Sequence, residues 1–189
     1  MESLDADGII RRSFASAGEL ARLHNVRLSF HPDQFVVLNS IREEVVAALI
    51  LELDTQARLG ELVGVDTITL HVGGMTDGKP AALERLERNI DRLSPAARSR
   101  IALENDDRLF TVKDLYELCL RSRVPLVYDV HHHRCNPDGL DVETATNLST
   151  ETWRGREPCM HLATAMARPR PTGGRTRTTS IPPTSRESG

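Results

Sequence analysis

This chain predicts a parallel α/β fold, on two observations. Short apolar runs alternate with segments of helical period, and each apolar run ends on a histidine or a carboxylate. Val26-Arg27-Leu28-Ser29-Phe30 leads into His31, Thr67-Ile68-Thr69-Leu70 into His71, and Arg100-Ile101-Ala102-Leu103 into Glu104. Val124-Pro125-Leu126-Val127-Tyr128 leads into Asp129, and Cys159-Met160 into His161. Apolar runs this short are buried strands, and their alternation with helices at a spacing of roughly 25 to 40 residues places them in one parallel sheet. Pattern alone leaves a doubly wound sheet and a TIM-type barrel both open. The strand-end ligands favour the barrel, where consecutive strands deliver their C-terminal ends to one mouth. A closed barrel has eight strands in about 250 residues. With 189 residues and five clear strands, this chain is expected to form an incomplete (β/α) barrel.

The elements follow in order. Ser16 to His24 reads as a helix with Leu20 and Leu23 on one face. After the strand to His31, Ile41 to Leu62 repeats apolar residues at Val45, Val46, Leu49, Leu53 and Ala57, the period of a helix packed on a sheet. The strand to His71 runs into a Gly73-Gly74 turn and a helix from Ala81 to Leu93. The strand to Glu104 precedes a helix from Thr111 to Leu120, with Thr111 placed to cap it. Beyond the strand at Val124–Asp129, a loop with Pro137 and Gly139 leads to a helix from Val142 to about Trp153, then to the strand at Cys159–Leu162. Residues 1–162 form one domain on this reading. Residues 163–189 are rich in Arg, Pro and Thr, show no period and hold too little apolar surface to order themselves, so a disordered tail is expected.

An apolar share of 39% with only 4% aromatics asks for one core built from Leu, Val, Ile and Ala. No run reaches the length of a membrane span, and Met1–Asp5 lacks the pattern of a signal sequence. Cys119, Cys135 and Cys159 are odd in number and widely spaced, which fits a reduced, cytoplasmic protein. The net charge of −3 is unevenly spread: residues 1–167 carry 19 basic and 26 acidic groups, residues 168–189 five arginines against Glu187. A negative main body counts against a nucleic-acid face, although carboxylates gathered around a cation are included in that balance.

Each strand-end residue has an ordinary reading when taken singly. His31-Pro32-Asp33 can be a solvated turn, Gly73-Gly74 a tight turn after His71, and His161 a satisfied core histidine. Glu104 is harder to dismiss, because a carboxylate ending a buried strand is costly unless it is paired or metal-bound. Asp129 and His132, three apart across a strand end, can wrap one cation. Three adjacent histidines cannot all face one point, so His131 and His133 read as bystanders, and Asp106 and Asp107 as loop residues. Recurrence at the same structural position is what points to a metal site, and a mixed histidine and carboxylate set suits Mn²⁺ or Zn²⁺.

Four stretches together resemble the ultraviolet damage endonuclease (UvdE) family, within the barrel superfamily of endonuclease IV and the xylose isomerase-like proteins. They are the 14 residues from Arg27 to Ser40, which include His31-Pro32-Asp33-Gln34-Phe35, then His71-Val72-Gly73-Gly74, Leu103-Glu104-Asn105-Asp106 and Tyr128-Asp129-Val130-His131-His132. The resemblance runs from about residue 26 to 162 and matches the family's strands 3 to 7. It implies metal ligands at His31, His71, Glu104, Asp129, His132 and His161, with Glu104, Asp129 and His132 at the catalytic centre. It implies Gln34 and Phe35 as a pair that probes damaged bases. The cation implied is Mn²⁺, with Mg²⁺, Co²⁺ and Zn²⁺ as the other candidates, and the partner is UV-damaged double-stranded DNA, with no membrane and no obligate protein partner. The reaction implied is hydrolysis of the strand 5′ to a photoproduct in excision repair.

There are departures from the family pattern. Cys159 stands where the family places a lysine, and nothing after Leu162 matches the family's late histidine and eighth-strand glutamate. Arg175 to Pro182 can be encoded by codons whose other frame reads His-Ala-Asp-Tyr-Ile-Asp-Pro, similar to the family's next segment, so the tail fits a frameshifted reading. These departures predict an endonuclease chain truncated at both ends, weak or inactive alone. They also predict two unpaired sheet edges and uncovered inward faces at Leu28, Phe30, Leu70 and Leu103. The alternatives are a non-catalytic barrel remnant and a sugar isomerase-like metal enzyme.

Overall fold

The computed structural model describes residues 8–33 and 35–162. Gln34, the first seven residues and the tail from 163, for which disorder and a frameshift are expected, lie outside the described residues. The strands are β1 (Ser29–Phe30), β2 (Thr67–His71), β3 (Ile101–Glu104), β4 (Leu126–Asp129) and β5 (Met160–His161). They pair in sequence order, all parallel, into a single curled sheet. The helices are α1 (Ile9–Leu23), α2 (Glu43–Val63), α3 (Lys79–Ile90), α4 (Pro95–Arg98), α5 (Val112–Ser122), α6 (Val130–Cys135) and α7 (Val142–Glu151). This is half of a TIM-type barrel, as the strand pattern predicts.

Local chemistry sets the helix ends. Thr111 and Asp114 form a reciprocal capping box at α5, and Asp141 caps α7 by accepting from the Thr144 amide. Gly64 ends α2 in a left-handed conformation at φ 83°. Two short helices were not legible in the apolar pattern. The first, α4, starts on Ser94-Pro95, and α6 follows β4 without a loop. The first helix begins at Ile9, well before the expected Ser16.

Alternation along the strands separates two layers. Ile68, Leu70, Ile101, Leu103, Leu126 and Tyr128 point outward into the main core beneath the helices. Ala102 and Val127 point inward and pack on Trp153. The expectation of uncovered leucines is therefore wrong. Leu70 and Leu103 are buried, and Leu28 and Phe30 pack against the same outer core, because the residue beside each strand-end ligand faces the opposite way. At the floor of the sheet, Trp153 donates to Leu126 O at 2.9 Å, and the guanidinium groups of Arg27 and Arg156 stand over its ring at 5.6 and 5.4 Å from the centroid. Arg27 also reaches the carbonyl of Glu157 at 2.8 Å, tying the β1 side to the β5 side. No helix among the described residues is long and apolar enough to cross a membrane.

Candidate metal centre

Strand register builds the site. His71 lies directly beside Glu104 across β2 and β3, and Asp129 directly beside His161 across β4 and β5. His31 follows β1, and α6 carries His132 back over the mouth. Six residues from five strand ends thus meet on the inward side of the sheet.

Glu104 is the centre of this arrangement. Its side chain is 1% exposed, yet both carboxylate oxygens face imidazoles. Oε2 stands 2.9 Å from His31 Nε2 and 3.6 Å from His71 Nε2. Oε1 stands 2.7 Å from His161 Nδ1 and 3.6 Å from His132 Nδ1. Burial would raise this carboxyl, but hydrogen bonds from His161 and His31, with the charges of His161 and His71, bring it down to about 2. The same hydrogen bonds raise His31 and His161, whereas burial lowers His71. The rings of His31 and His161 stack with centroids 5.6 Å apart, and His71 lies 5.3 Å from His31 and 5.8 Å from His132.

Asp129 is fixed twice. Its Oδ1 accepts the His132 amide at 2.8 Å, which starts α6, and its backbone N–H and C=O both pair with the side chain of Asn105. That amide acts as one more rung between β3 and β4. The Asn105 carbonyl lies 2.9 Å from His132 Nδ1. His133 turns away: its Nδ1 is hydrogen-bonded to Tyr128 Oη at 2.6 Å, and its Nε2 faces Asp138 at 3.2 Å. Asp106 closes the next turn by accepting the amides of Arg108, Leu109 and Phe110. Asn105, Tyr128 and His133 were missed as supporting residues. The available signal was a tyrosine hydroxyl in an otherwise apolar buried strand, which demands a partner. Phe35 lies apart from the cluster, on an exposed turn after His31.

The donor set fits a divalent cation. His31–Glu104–His161 and Glu104–Asp129–His132 each bring ligand atoms within 4.8 Å of one another, with Glu104 shared. His71 Nδ1 is buried and has no hydrogen-bond partner. His31 Nδ1 donates to Pro32 O at 3.1 Å, so its Nε2 meets the carboxylate either as a second N–H or through a bound cation. A lone pair aimed at a carboxylate is tolerable only with a proton or a cation between them. Beside the cluster a cavity of about 430 Å³ is lined by His71, Gly73, Asp106, Asp107, Arg108, Leu109 and His132.

The family model described as UV-endonuclease UvdE matches residues 2–186. The chain belongs to this family of endonucleases. A UV DNA damage endonuclease of Bacillus velezensis is 31% identical over 159 residues, which cover 81% of this chain and 50% of that protein. One from Bacillus cereus is 30% identical over 152 residues, 79% of this chain and 48% of the relative. The chain thus spans about half the length of the curated relatives it matches. The crystal structure of SacUVDE superposes with a TM-score of 0.73 at 35% identity, over 76% of this chain and 50% of that one. Endonuclease IV from Thermus thermophilus matches at a TM-score of 0.53 and 16% identity, over 76% of this chain and 53% of that one, a likeness that shows the fold alone.

Proposed function

We propose that this chain carries the cation-binding and lesion-contacting half of an endonuclease that cuts DNA 5′ to UV photoproducts, with Mn²⁺ as its cation. The observation that carries the reading is Glu104, a buried carboxylate faced by four imidazoles from separate elements. A purely structural glutamate needs one or two partners. Four histidines around it form a site for a cation.

His31, Glu104 and His161 would hold one cation, and Glu104, Asp129 and His132 a second or the same one in a shared position. His71 completes the ring. A bound divalent cation lowers the pKa of water and stabilises negative charge on a phosphate. The residues of the chain supply the rest. The Pro32 carbonyl orients His31, Asn105 fixes Asp129, and Asp129 fixes α6 and hence His132. The adjoining cavity admits a phosphodiester beside His71 and His132, with Arg108 at its wall to meet the negative charge. Gln34 and Phe35 would lie against bases already unstacked by damage, for which the deformation cost is low. Cys159 offers no cation where the resemblance places a lysine. Burial raises its thiol, which stays neutral. Incision by these residues alone is accordingly weak or absent, and damage-selective binding is the first activity to measure. The test is fluorescence anisotropy with Mn²⁺, comparing a duplex that holds one pyrimidine dimer with the undamaged duplex. Preference for the damaged duplex, lost in Phe35→Ala, supports the reading. Equal binding of both contradicts it.

A further inference from the structure

Phe35 is 75% exposed, yet the chain three residues later is among the most deeply buried in the molecule, with Leu38 at 1% and Asn39 at 3%. A large aromatic ring left in water on so short a stem asks what holds the stem. On the near side, Asp33 Oδ1 accepts the Phe35 amide at 3.0 Å and Asp33 O accepts the Val36 amide at 2.9 Å. On the far side three hydrogen bonds hold the segment. Asn89 of α3 donates to Leu38 O at 2.7 Å in a buried bond, Arg85 donates to Asn39 O at 3.0 Å, and Asn39 donates its own amide to Gly74 O. Gly73 makes the close approach available. At φ +102° it carries no Cβ, and one added there would lie 2.6 Å from Asn39 Oδ1 and 2.7 Å from Val37 Cβ. Asn89 is held in turn by Arg92, whose Nη1 donates to Asn89 Oδ1 at 2.9 Å and which pairs with Glu43. The far end of the segment is thus fastened to α3 and to the β2–α3 loop, its near end is closed on Asp33, and the ring stays exposed.

We propose that Asn39 and Asn89 are positioning residues for Phe35: they hold the stem at residues 35–40 as a pedestal, so that the ring meets an unstacked base step without first being ordered. The inference rests on the reading of Phe35 as a lesion-contacting side chain. Ordering a loop and its rotamers on binding lowers affinity, and preorganisation removes that loss. Neither asparagine touches DNA on this account. Each acts through Phe35.

The experiment uses the whole 189-residue chain as wild type, Asn89→Ala, Asn39→Ala, Phe35→Ala and the Phe35→Ala/Asn89→Ala double variant. Two quantities are read. One is amide hydrogen exchange over residues 33–40 in the free protein. The other is the ratio of affinities for the dimer-containing and undamaged duplexes with Mn²⁺. Asn89→Ala should speed exchange at Phe35 and Val36 and reduce the affinity ratio roughly three- to tenfold, with Mn²⁺ affinity unchanged. In the Phe35→Ala background it should reduce the ratio no further, as expected of residues that act through one another. Unchanged exchange across the segment overturns the proposal, as does an equal loss of discrimination with and without Phe35. If Asn89→Ala does not fold, Asn39→Ser, which only shortens the reach to Gly74, carries the same comparison. A wild-type chain that binds both duplexes equally removes the functional reading and the role of Phe35 together, and the exchange data then decide separately whether the asparagines fix the turn.

Discussion

His161 Nδ1 stands 2.7 Å from Glu104 Oε1, although the two residues belong to strands separated by β4. Curvature of the sheet is what closes that distance, because in a flat sheet next-nearest strands lie roughly 10 Å apart. The contact therefore reports that the five strands are curled enough to gather their ends, and that Glu104 is the point on which they converge.

Removing that point should separate cation binding from folding. In Glu104→Ala the four imidazoles lose their shared partner and both three-residue ligand groups lose a member. Mn²⁺ affinity should fall at least roughly tenfold to a hundredfold. Glu104→Gln keeps the volume and should lose binding nearly as far, with a near-native circular dichroism spectrum.

The metal-free protein should show a pH window. Hydrogen bonding to Glu104 raises His31 and His161. A raised imidazole stabilises the fold below its ordinary pKa of about 6.5, and the gain is lost as pH rises through the folded value. Glu104, held at about 2, stabilises above the ordinary carboxylate range, and that gain is lost as pH falls towards 2. His71, lowered by burial, acts in the opposite sense below about 6.5, but it is one imidazole against two, so melting temperature without cation should peak between about pH 4.5 and 6.5 and decline towards pH 8. Saturating Mn²⁺ should flatten the alkaline decline, since a cation replaces the departing protons. A metal-free melting temperature that rises steadily to pH 8 would contradict the pairing.

Tyr128→Phe tests the support beneath α6. The change strands His133 Nδ1 in a site where His133 is 6% exposed, and a buried polar atom left unsatisfied costs about 1–3 kcal/mol. Chemical denaturation should show that loss, accompanied by weaker Mn²⁺ binding through a displaced His132.

Packing of α1 on α2 turns on Gly18. A Cβ there would lie 2.5 Å from Val63 O, backbone that cannot rotate away. Gly18→Ala should destabilise by about 1–3 kcal/mol in urea unfolding and leave Mn²⁺ affinity alone.

The order of strands, their parallel sense and the strand-end position of each metal-type residue were all legible in the sequence, because buried strands alternate strictly and end where the polar residue appears. Two features were not. The apolar pattern cannot say which face of a two-sided strand is inward, so it reads Leu28, Phe30, Leu70 and Leu103 as inward although they pack under the helices. Nor could it show Asn105 bridging β3 to β4, or Tyr128 meeting His133, since both contacts depend on how α6 folds back over the strand end. Asp129 and His132 at three-residue spacing were readable as a pair, but the reason for the spacing is the capping bond that starts α6.

If residues from five strand ends assemble a cation site around Glu104, the metal-free chain must bind Mn²⁺ through that carboxylate. Isothermal titration with Mn²⁺ near pH 7.5 reads this without any DNA, with Glu104→Ala titrated in parallel. Saturable binding by the wild type is expected, together with its loss in the variant. No binding at millimolar Mn²⁺, or equal binding by both proteins, would contradict the assignment.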